Sequence, residues 1–217
     1  MKVKILIPIY NDRESLTKLI ENINLEIKSL NCETSIIVIN DASTDKTQEM
    51  AEKAGAITIR HKSNQGYDGA LNSGFSKADE LNCYMVITFD ADGQHDVSLL
   101  EEYIQLIDSG FQVVIGSRDK FQRVTEYIFS WVARLKWGIL DPLCGMKAYH
   151  IDVYKNLGHF DLYNSIGTEL SIFAAKSSVS IAQLPITINK RADKPRFGNR
   201  ISSNVRILKA IFHGLKL

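Results

Sequence analysis

Short apolar runs rich in Ile and Val alternate along the chain with stretches whose apolar residues recur every three or four positions. VKILIPI (Val3–Ile9) predicts a buried strand. It is followed by a helical stripe of Leu16, Leu19, Ile20, Ile23 and Ile27 within Asp12–Leu30. SIIVIN (Ser35–Asn40) predicts a second strand, and Asp45–Ala54 a short helix that starts on an acid. AITIR is a third strand, NQGYDGALNSG a turn entering a helix, and YMVITF a fourth strand. Val97–Ile107 then reads as a helix and QVVIGS as a fifth strand. Runs that are apolar throughout, rather than alternating, belong to strands covered on both sides. The pattern therefore predicts an α/β fold: a Rossmann-like, mostly parallel sheet flanked by helices.

After Ser117 the rhythm changes. Thr125–Gly138 is a helical stretch rich in aromatic and basic residues, and DPLCGMKAY a loop running into a strand. Ile166–Lys176 reads as a helix and SIAQLPITI as a further strand. In the last segment Ile201, Val205, Leu208, Phe212 and Leu215 form one helical stripe, with Arg206, Lys209, His213 and Lys216 beside it. Residues 1–198 are expected to form the main domain, and 199–217 a basic amphipathic C-terminal helix. Such a helix suits the surface of an anionic membrane. It equally suits packing on its own domain or on a second subunit, as in a homodimer.

Net charge is +1 over 217 residues, which argues against a nucleic-acid partner. That average hides an asymmetry. Pro185–Leu217 carries +7 and Arg118–Gly138 carries +3, leaving −9 on the remainder. Two basic regions on an acidic body point to an anionic partner or surface. Cys32, Cys83 and Cys144 are far apart and form no CxxC pair, so a reducing cytoplasm is the expected compartment. The apolar run at the N-terminus is too short for a signal peptide, and no stretch approaches the roughly 18 apolar residues of a membrane span.

In an open α/β sheet, ligands bind where the parallel strands end. Residues just past the five strands include Pro8, Tyr10, Asn11 and Asp12; Asn40, Asp41 and Ser43; Asn64, Gln65 and Gly66; Asp90, Asp92 and Gln94; and Gly116, Ser117 and Arg118. Asp90 and Asp92 stand two apart, so an extended chain turns both to one side. Two carboxylates there repel unless they share a cation, and so small a set of hard oxygens suits Mg²⁺ or Mn²⁺. Asp96 is expected to cap the next helix, and His95 to be a turn residue facing solvent. No Walker sequence, no G-x-G-x-x-G after a strand and no G-x-S-x-G is present.

IPIYNDRESL, IIVINDASTDKT, NQGYDGALNSG, ITFDADGQHD, VVIGSR and DPLCGMKAY, in this order, resemble the successive motifs of family 2 glycosyltransferases of GT-A type. The resemblance covers about residues 3–188 and is strongest to the polyprenyl-phosphate (dolichyl-phosphate mannose synthase-like) branch. It implies that Pro8, Tyr10, Asn11, Asp12 and Asp41 line the nucleotide, with Gly66 lying against it. Asp90 and Asp92 would hold the metal on the diphosphate of a nucleotide-sugar donor, with Gln94 near by. Arg118 would meet a phosphate, and Asp141 and Gly145 would lie in the acceptor-side loop. A late basic residue, one of Arg191, Arg196 and Arg200, would bind phosphate. Four positions depart from the family pattern: Asp12 where Glu is usual, Asn40 for the first of two Asp, Tyr67 where Lys is frequent, and Cys144 where Ser is common.

The implied reaction is a single inverting displacement on the sugar's anomeric carbon. A lipid-phosphate acceptor is already anionic and needs arginines rather than a strong base. A saccharide hydroxyl needs a carboxylate to take its proton, and Glu169 is the candidate. The first acceptor implies a protein in peripheral contact with the inner face of the membrane. A nucleotide-sugar-binding protein without turnover is the alternative of another class.

Overall fold

The computed structural model describes residues 1–189 and 200–217. Fifteen elements follow one another: β1 (Lys2–Ile9), α1 (Arg13–Glu26), β2 (Glu33–Asn40), α2 (Thr47–Lys53), β3 (Ile57–Arg60), α3 (Gly66–Glu80), β4 (Met85–Thr88), α4 (Leu99–Asp108), β5 (Val113–Arg118), α5 (Val124–Trp137), β6 (Lys147–His150), α6 (Ile151–Leu157), α7 (Glu169–Lys176), β7 (Ile181–Ile186) and α8 (Arg200–Lys216). The strands form one sheet in the order β3-β2-β1-β4-β6-β5-β7.

The five strands expected from the apolar runs all point the same way, and β7 joins them beside β5. β6 alone is reversed. It inserts between β4 and β5 and pairs antiparallel with both, with Ile87 opposite Ala148 and Val114 opposite Ala148. The reversal decides where chemistry collects, because an antiparallel strand begins at the edge where its parallel neighbours end. The loop entering β6, with Asp141 and Gly145, is thereby delivered beside the end of β4.

Both faces of the sheet are covered, as continuous apolar strands require. Ile5 and Ile7 pack with Leu16, Ile20, Leu100 and Tyr103 on one side. Leu6, one step along the pleat, faces Phe75 and Leu71 on the other.

α8 packs on the domain through a face other than the apolar stripe of its sequence. Its buried face is Ser203, Ile207, Ala210 and Ile211, and Ile207, Ala210 and Ile211 join the same core as Phe129 of α5 and Leu170 of α7. Val205, Leu208, Phe212 and Leu215 point outward, between 45% and 57% exposed. α8 runs alongside α5. Thr125 donates to Asn204 at one end, 2.9 Å away. At the other, a Cβ on Gly214 would fall 2.9 Å from the Trp137 ring, so only a glycine allows that approach. The expected boundary at 198/199 lies outside the described residues. Among the described residues, no helix is long and apolar enough to cross a membrane.

Candidate active site

A cavity of about 320 Å³ opens at the carboxyl edge of the sheet. Its wall contains Pro8 of β1, Tyr10 and Asp12 just past it, Asp41 just past β2, Asn64 before α3, Gly66 and Tyr67 from the start of α3, and Asp90 and Asp92 just past β4. Arg206 of α8 completes it. Eight of the residues proposed from strand-end position, Asn64 among them, thus face one space.

Asp41 is the hub of the β2 side. One oxygen lies 2.7 Å from His61 Nδ1 and accepts from the Gln65 backbone N–H at 2.8 Å; the other accepts from Gly66 N–H at 2.8 Å. The carboxylate thus sits at the N-terminus of α3, where the helix dipole favours negative charge. Gly66 has φ +76, a conformation that an L side chain adopts only with strain. Asn11 is not in the wall. Its N–H donates to Ser43 Oγ at 3.0 Å and its side-chain oxygen accepts from Thr44 N–H at 2.9 Å, tying the β1 loop to the β2 loop. Asn40 likewise acts on the backbone, accepting from Ser43 N–H at 2.8 Å.

Asp90 has room because Gly145 has no side chain. A Cβ at residue 145 would stand 1.8 Å from Asp90 Oδ2. Thr88 fixes that approach by donating to the Gly145 carbonyl at 2.7 Å. Asp92 accepts from Gln94 N–H at 3.1 Å across a turn that Gly93 makes at φ +71. The Gln94 side chain is not among the lining groups; its carbonyl accepts from Asn189 N–H at 2.9 Å. His95 is buried, not solvent-facing as expected. Its Nε2 is 3.9 Å from Asp90 Oδ2 and its Nδ1 has no hydrogen-bond partner. Burial pushes its pKa down to about 4, opposed by Asp92, so the imidazole is neutral beside the two acids. Asp96 holds the turn before α4 by accepting from Ser98 N–H at 3.0 Å; the N-cap position itself is Ser98.

On the β5 side, charge is matched internally. Arg118 forks onto Asp141, Nε to Oδ2 at 2.6 Å and Nη2 to Oδ1 at 2.9 Å, and its Nη1 is 3.5 Å from Glu126. Burial opposes the guanidinium charge, but the bonds and field of Asp141 outweigh it and raise the pKa. Neither Arg118 nor Asp141 lines the cavity. Glu169 is buried at the start of α7, 2.8 Å from His159 Nε2 and accepting from Leu162 N–H at 2.7 Å. It too lies outside the wall. Arg191 and Arg196 fall outside the described residues, and the side chain of Arg200 is not described.

Residues 4–163 match the model of glycosyl transferase family 2. The chain belongs to that family. Among the relatives of this family 2 member is the dolichol-phosphate mannosyltransferase of Pyrococcus furiosus. It is 35% identical over 54% of this chain, a match that spans only a third (33%) of that enzyme's length. A second is the UDP-N-acetylglucosamine–dolichyl-phosphate N-acetylglucosaminyltransferase of Methanococcus voltae, 28% identical over 85% of this chain and 84% of its own. Among solved structures, glucosyl-3-phosphoglycerate synthase from Mycobacterium tuberculosis, in complex with Mn²⁺ and UDP-glucose, superposes with a TM-score of 0.79. That match has 16% identity and covers all of this chain and 79% of the other, so the two share the GT-A type fold.

Two basic residues near this edge of the sheet escape motif reading: Arg206, which lines the cavity, and Lys147, which does not. Arg206 belongs to a basic helical stripe, and nothing in its spacing says that it turns inward. Lys147 is buried, donating to the carbonyls of Pro142 at 2.8 Å and Gly167 at 2.7 Å, and burial lowers its pKa. A lone Lys inside a strand run is the only signal of it.

Proposed function

We propose that the protein transfers a sugar, with inversion, from a nucleotide-diphosphate donor to a polyprenyl phosphate. The observation that carries this reading is the single cavity in which the nucleotide-side residues Pro8, Tyr10, Asp12, Asp41 and Gly66 meet the Asp90–Asp92 pair. The named activities of the Pyrococcus and Methanococcus relatives support the acceptor class.

The donor set fits a hard divalent ion. Among the described residues, no group of three or more His, Cys, Asp or Glu is arranged to hold a metal alone. Asp90 and Asp92 would therefore supply part of the coordination of Mg²⁺ or Mn²⁺, with donor phosphate oxygens and water completing it. Such an ion offsets the charge that grows on the leaving diphosphate. Gly145 and Thr88 hold Asp90 in position, and Gly93 and Gln94 hold Asp92. Tyr10 is exposed at the cavity and suits the nucleotide base. A phosphate acceptor needs no proton removed, and the engagement of Glu169 by His159 and the Leu162 N–H favours this over a hydroxyl acceptor.

The acceptor's lipid would be met by the outer faces of α5 and α8. Val124, Tyr127, Ile128, Trp131 and Leu135 of α5 are 44% to 76% exposed, beside the exposed stripe of α8. Arg134, Lys136, Lys209 and Lys216 are exposed on the same two helices. Apolar surface with basic residues around it is complementary to an anionic bilayer, so the reading includes peripheral membrane contact.

The test is a transfer screen over UDP-, GDP- and dTDP-sugars with Mg²⁺ or Mn²⁺, with and without a short polyprenyl phosphate. Formation of a polyprenyl-phosphate sugar is expected. Transfer only to a saccharide hydroxyl, or nucleotide-sugar binding without turnover, would overturn the reading. Trp131→Glu combined with Phe212→Glu should reduce sedimentation with anionic vesicles. Unchanged sedimentation would assign that face to another protein surface.

A further inference from the structure

We infer that His61 is a positioning residue for the donor nucleotide: with Ser73 behind it, it fixes the Asp41 carboxylate so that one acceptor position is left for the ligand. The inference rests on the nucleotide-sugar reading above and adds to it a residue that is not in the cavity wall.

The first ground is the count of hydrogen bonds. An ionised carboxylate offers about four acceptor positions. Among the described residues, three groups meet that of Asp41. His61 Nδ1 at 2.7 Å and the Gln65 N–H at 2.8 Å take Oδ1, and the Gly66 N–H at 2.8 Å takes one side of Oδ2. Asp41 lines the cavity, so the position that Oδ2 keeps suits an N–H or O–H of the nucleoside. Two backbone N–H bonds favour the ionised carboxylate, which has no hydrogen to give. Nδ1 therefore carries the hydrogen. In the neutral ring Nε2 is then an acceptor, and Ser73 Oγ stands 2.9 Å from it. In an imidazolium Nε2 donates to that same oxygen, and the Ser73 hydroxyl turns to the Gly69 carbonyl at 3.3 Å. In both states the ring presents a donor to Asp41.

The second ground is placement. The His61 side chain is 6% exposed, and the backbone N–H of His61 donates to the Asn40 carbonyl at 2.9 Å. Backbone and ring are thus both tied to the end of β2. Gln65, the other donor to Oδ1, is exposed in the turn before α3. Ser73 reaches the ring because α3 lies close on β2: a Cβ on its neighbour Gly74 would stand 2.9 Å from Ile39 Cδ1. The contacts close on themselves, from Asp41 through His61 to Ser73 on α3, and back from Gly66 at the start of α3 to Asp41. A carboxylate fixed before the ligand arrives spares binding the entropy of ordering it.

The experiment uses the full chain with Mn²⁺. Calorimetry measures the binding of UDP, GDP and dTDP, and steady-state kinetics the transfer to a short polyprenyl phosphate. An Asn amide at residue 61 reaches about as far as Nδ1, and a Gln amide about as far as Nε2. His61→Gln should weaken the preferred nucleotide and raise the donor KM by about tenfold, with acceptor KM and kcat at saturating donor unchanged. His61→Asn should recover most of that loss, although both variants lose the ring and should melt at similar temperatures. Ser73→Ala should raise the nucleotide Kd about threefold. Wild-type affinity in both His61 variants confines His61 to the fold and overturns the inference. Equal weakening in both assigns the loss to packing and also overturns it, as does a fall in kcat with nucleotide affinity unchanged. If His61→Gln does not fold, Ser73→Ala decides, and an unchanged Kd overturns the inference. Failure of the wild type to bind any of the three nucleotides overturns the nucleotide-sugar reading together with this inference. Wild-type binding without transfer to the polyprenyl phosphate overturns the acceptor reading alone, and the Kd values still decide the part of His61.

Discussion

Asp41 and Arg118 occupy equivalent places, each at or just beyond the carboxyl end of a parallel strand, yet they end in opposite situations. Asp41 is held by His61 and two backbone N–H groups, and still faces the cavity. Arg118 is held by two acids, and lies outside the cavity wall. Two of the donors to Asp41 are backbone N–H groups, which carry no net charge, whereas the partners of Arg118 are carboxylates that offset its own. The β1–β4 side of the sheet edge is thus built to present charge, and the β5–β6 side to balance it. Strand-end position alone does not make a functional residue; what each charge already binds decides.

The sharpest test of the presenting side is Asp92→Ala. If Asp92 holds the ion, transfer should fall by about a thousandfold, the ~4 kcal/mol expected of a metal at a leaving group. Thermal stability should hardly change, because Asp92 is partly exposed. Full wild-type activity in excess chelator would remove the metal from the scheme and erase the contrast.

The balancing side should respond in stability. Asp141 is almost fully buried, so Asp141→Asn leaves the Arg118 charge without its closest partner. A loss of about 3 kcal/mol is expected in denaturant titrations. Arg118→Met combined with Asp141→Leu should restore much of it, since burying two apolar groups avoids the desolvation cost of the pair. If the double variant is stable but its acceptor KM rises steeply, the pair belongs to the site after all.

Gly145→Ala joins the two sides. The added methyl would collide with Asp90 Oδ2, which stands 1.8 Å from that Cβ position. Mn²⁺ affinity in the presence of nucleotide should fall about tenfold, ~1.4 kcal/mol, measured by calorimetry. An unchanged affinity would mean that Asp90 can relax, leaving Asp92 as the dominant ligand.

These contrasts mark how far the sequence could be read. Continuous apolar runs foretold the parallel strands, and the order of elements foretold which loops share an edge. That is why Pro8, Tyr10, Asp12, Asp41, Gly66, Asp90 and Asp92 line one cavity. The direction of β6 was not legible, because periodicity records which faces are buried and not which way a strand runs. The inward face of α8 was not legible for a related reason. Its outer stripe of Val205, Leu208, Phe212 and Leu215 is more hydrophobic than the buried face, which uses Ser203, Ala210 and Gly214 to approach its neighbours closely. The pairing of Arg118 with Asp141, and of Glu169 with His159, depends on loop paths that no spacing rule encodes.

Asp68 offers the smallest and most specific test, since it belongs to α3 but is held by the later half of the chain. Its Oδ2 accepts from Ile166 N–H at 3.2 Å, and its buried Oδ1 has no hydrogen-bond partner. Burial, and then Asp161, push its pKa up to about 7; the Ile166 and Gly167 N–H groups and Arg206 oppose the shift. Lys147 is close enough to feel its charge. A carboxyl whose folded pKa lies above its unfolded one binds a proton more tightly in the native state. Its contribution to stability is therefore full below the unfolded pKa and is lost as pH rises through about 7. Asp68→Asn keeps the shape and removes the titration. The variant should gain on the order of 1 kcal/mol over the wild type at about pH 8 and little at about pH 4, read as a flattened dependence of melting temperature on pH. A variant equally destabilised at both pH values would mean that Asp68 is ionised and paired in the native state. Presented charge would then extend from the cavity wall into the layer beneath it.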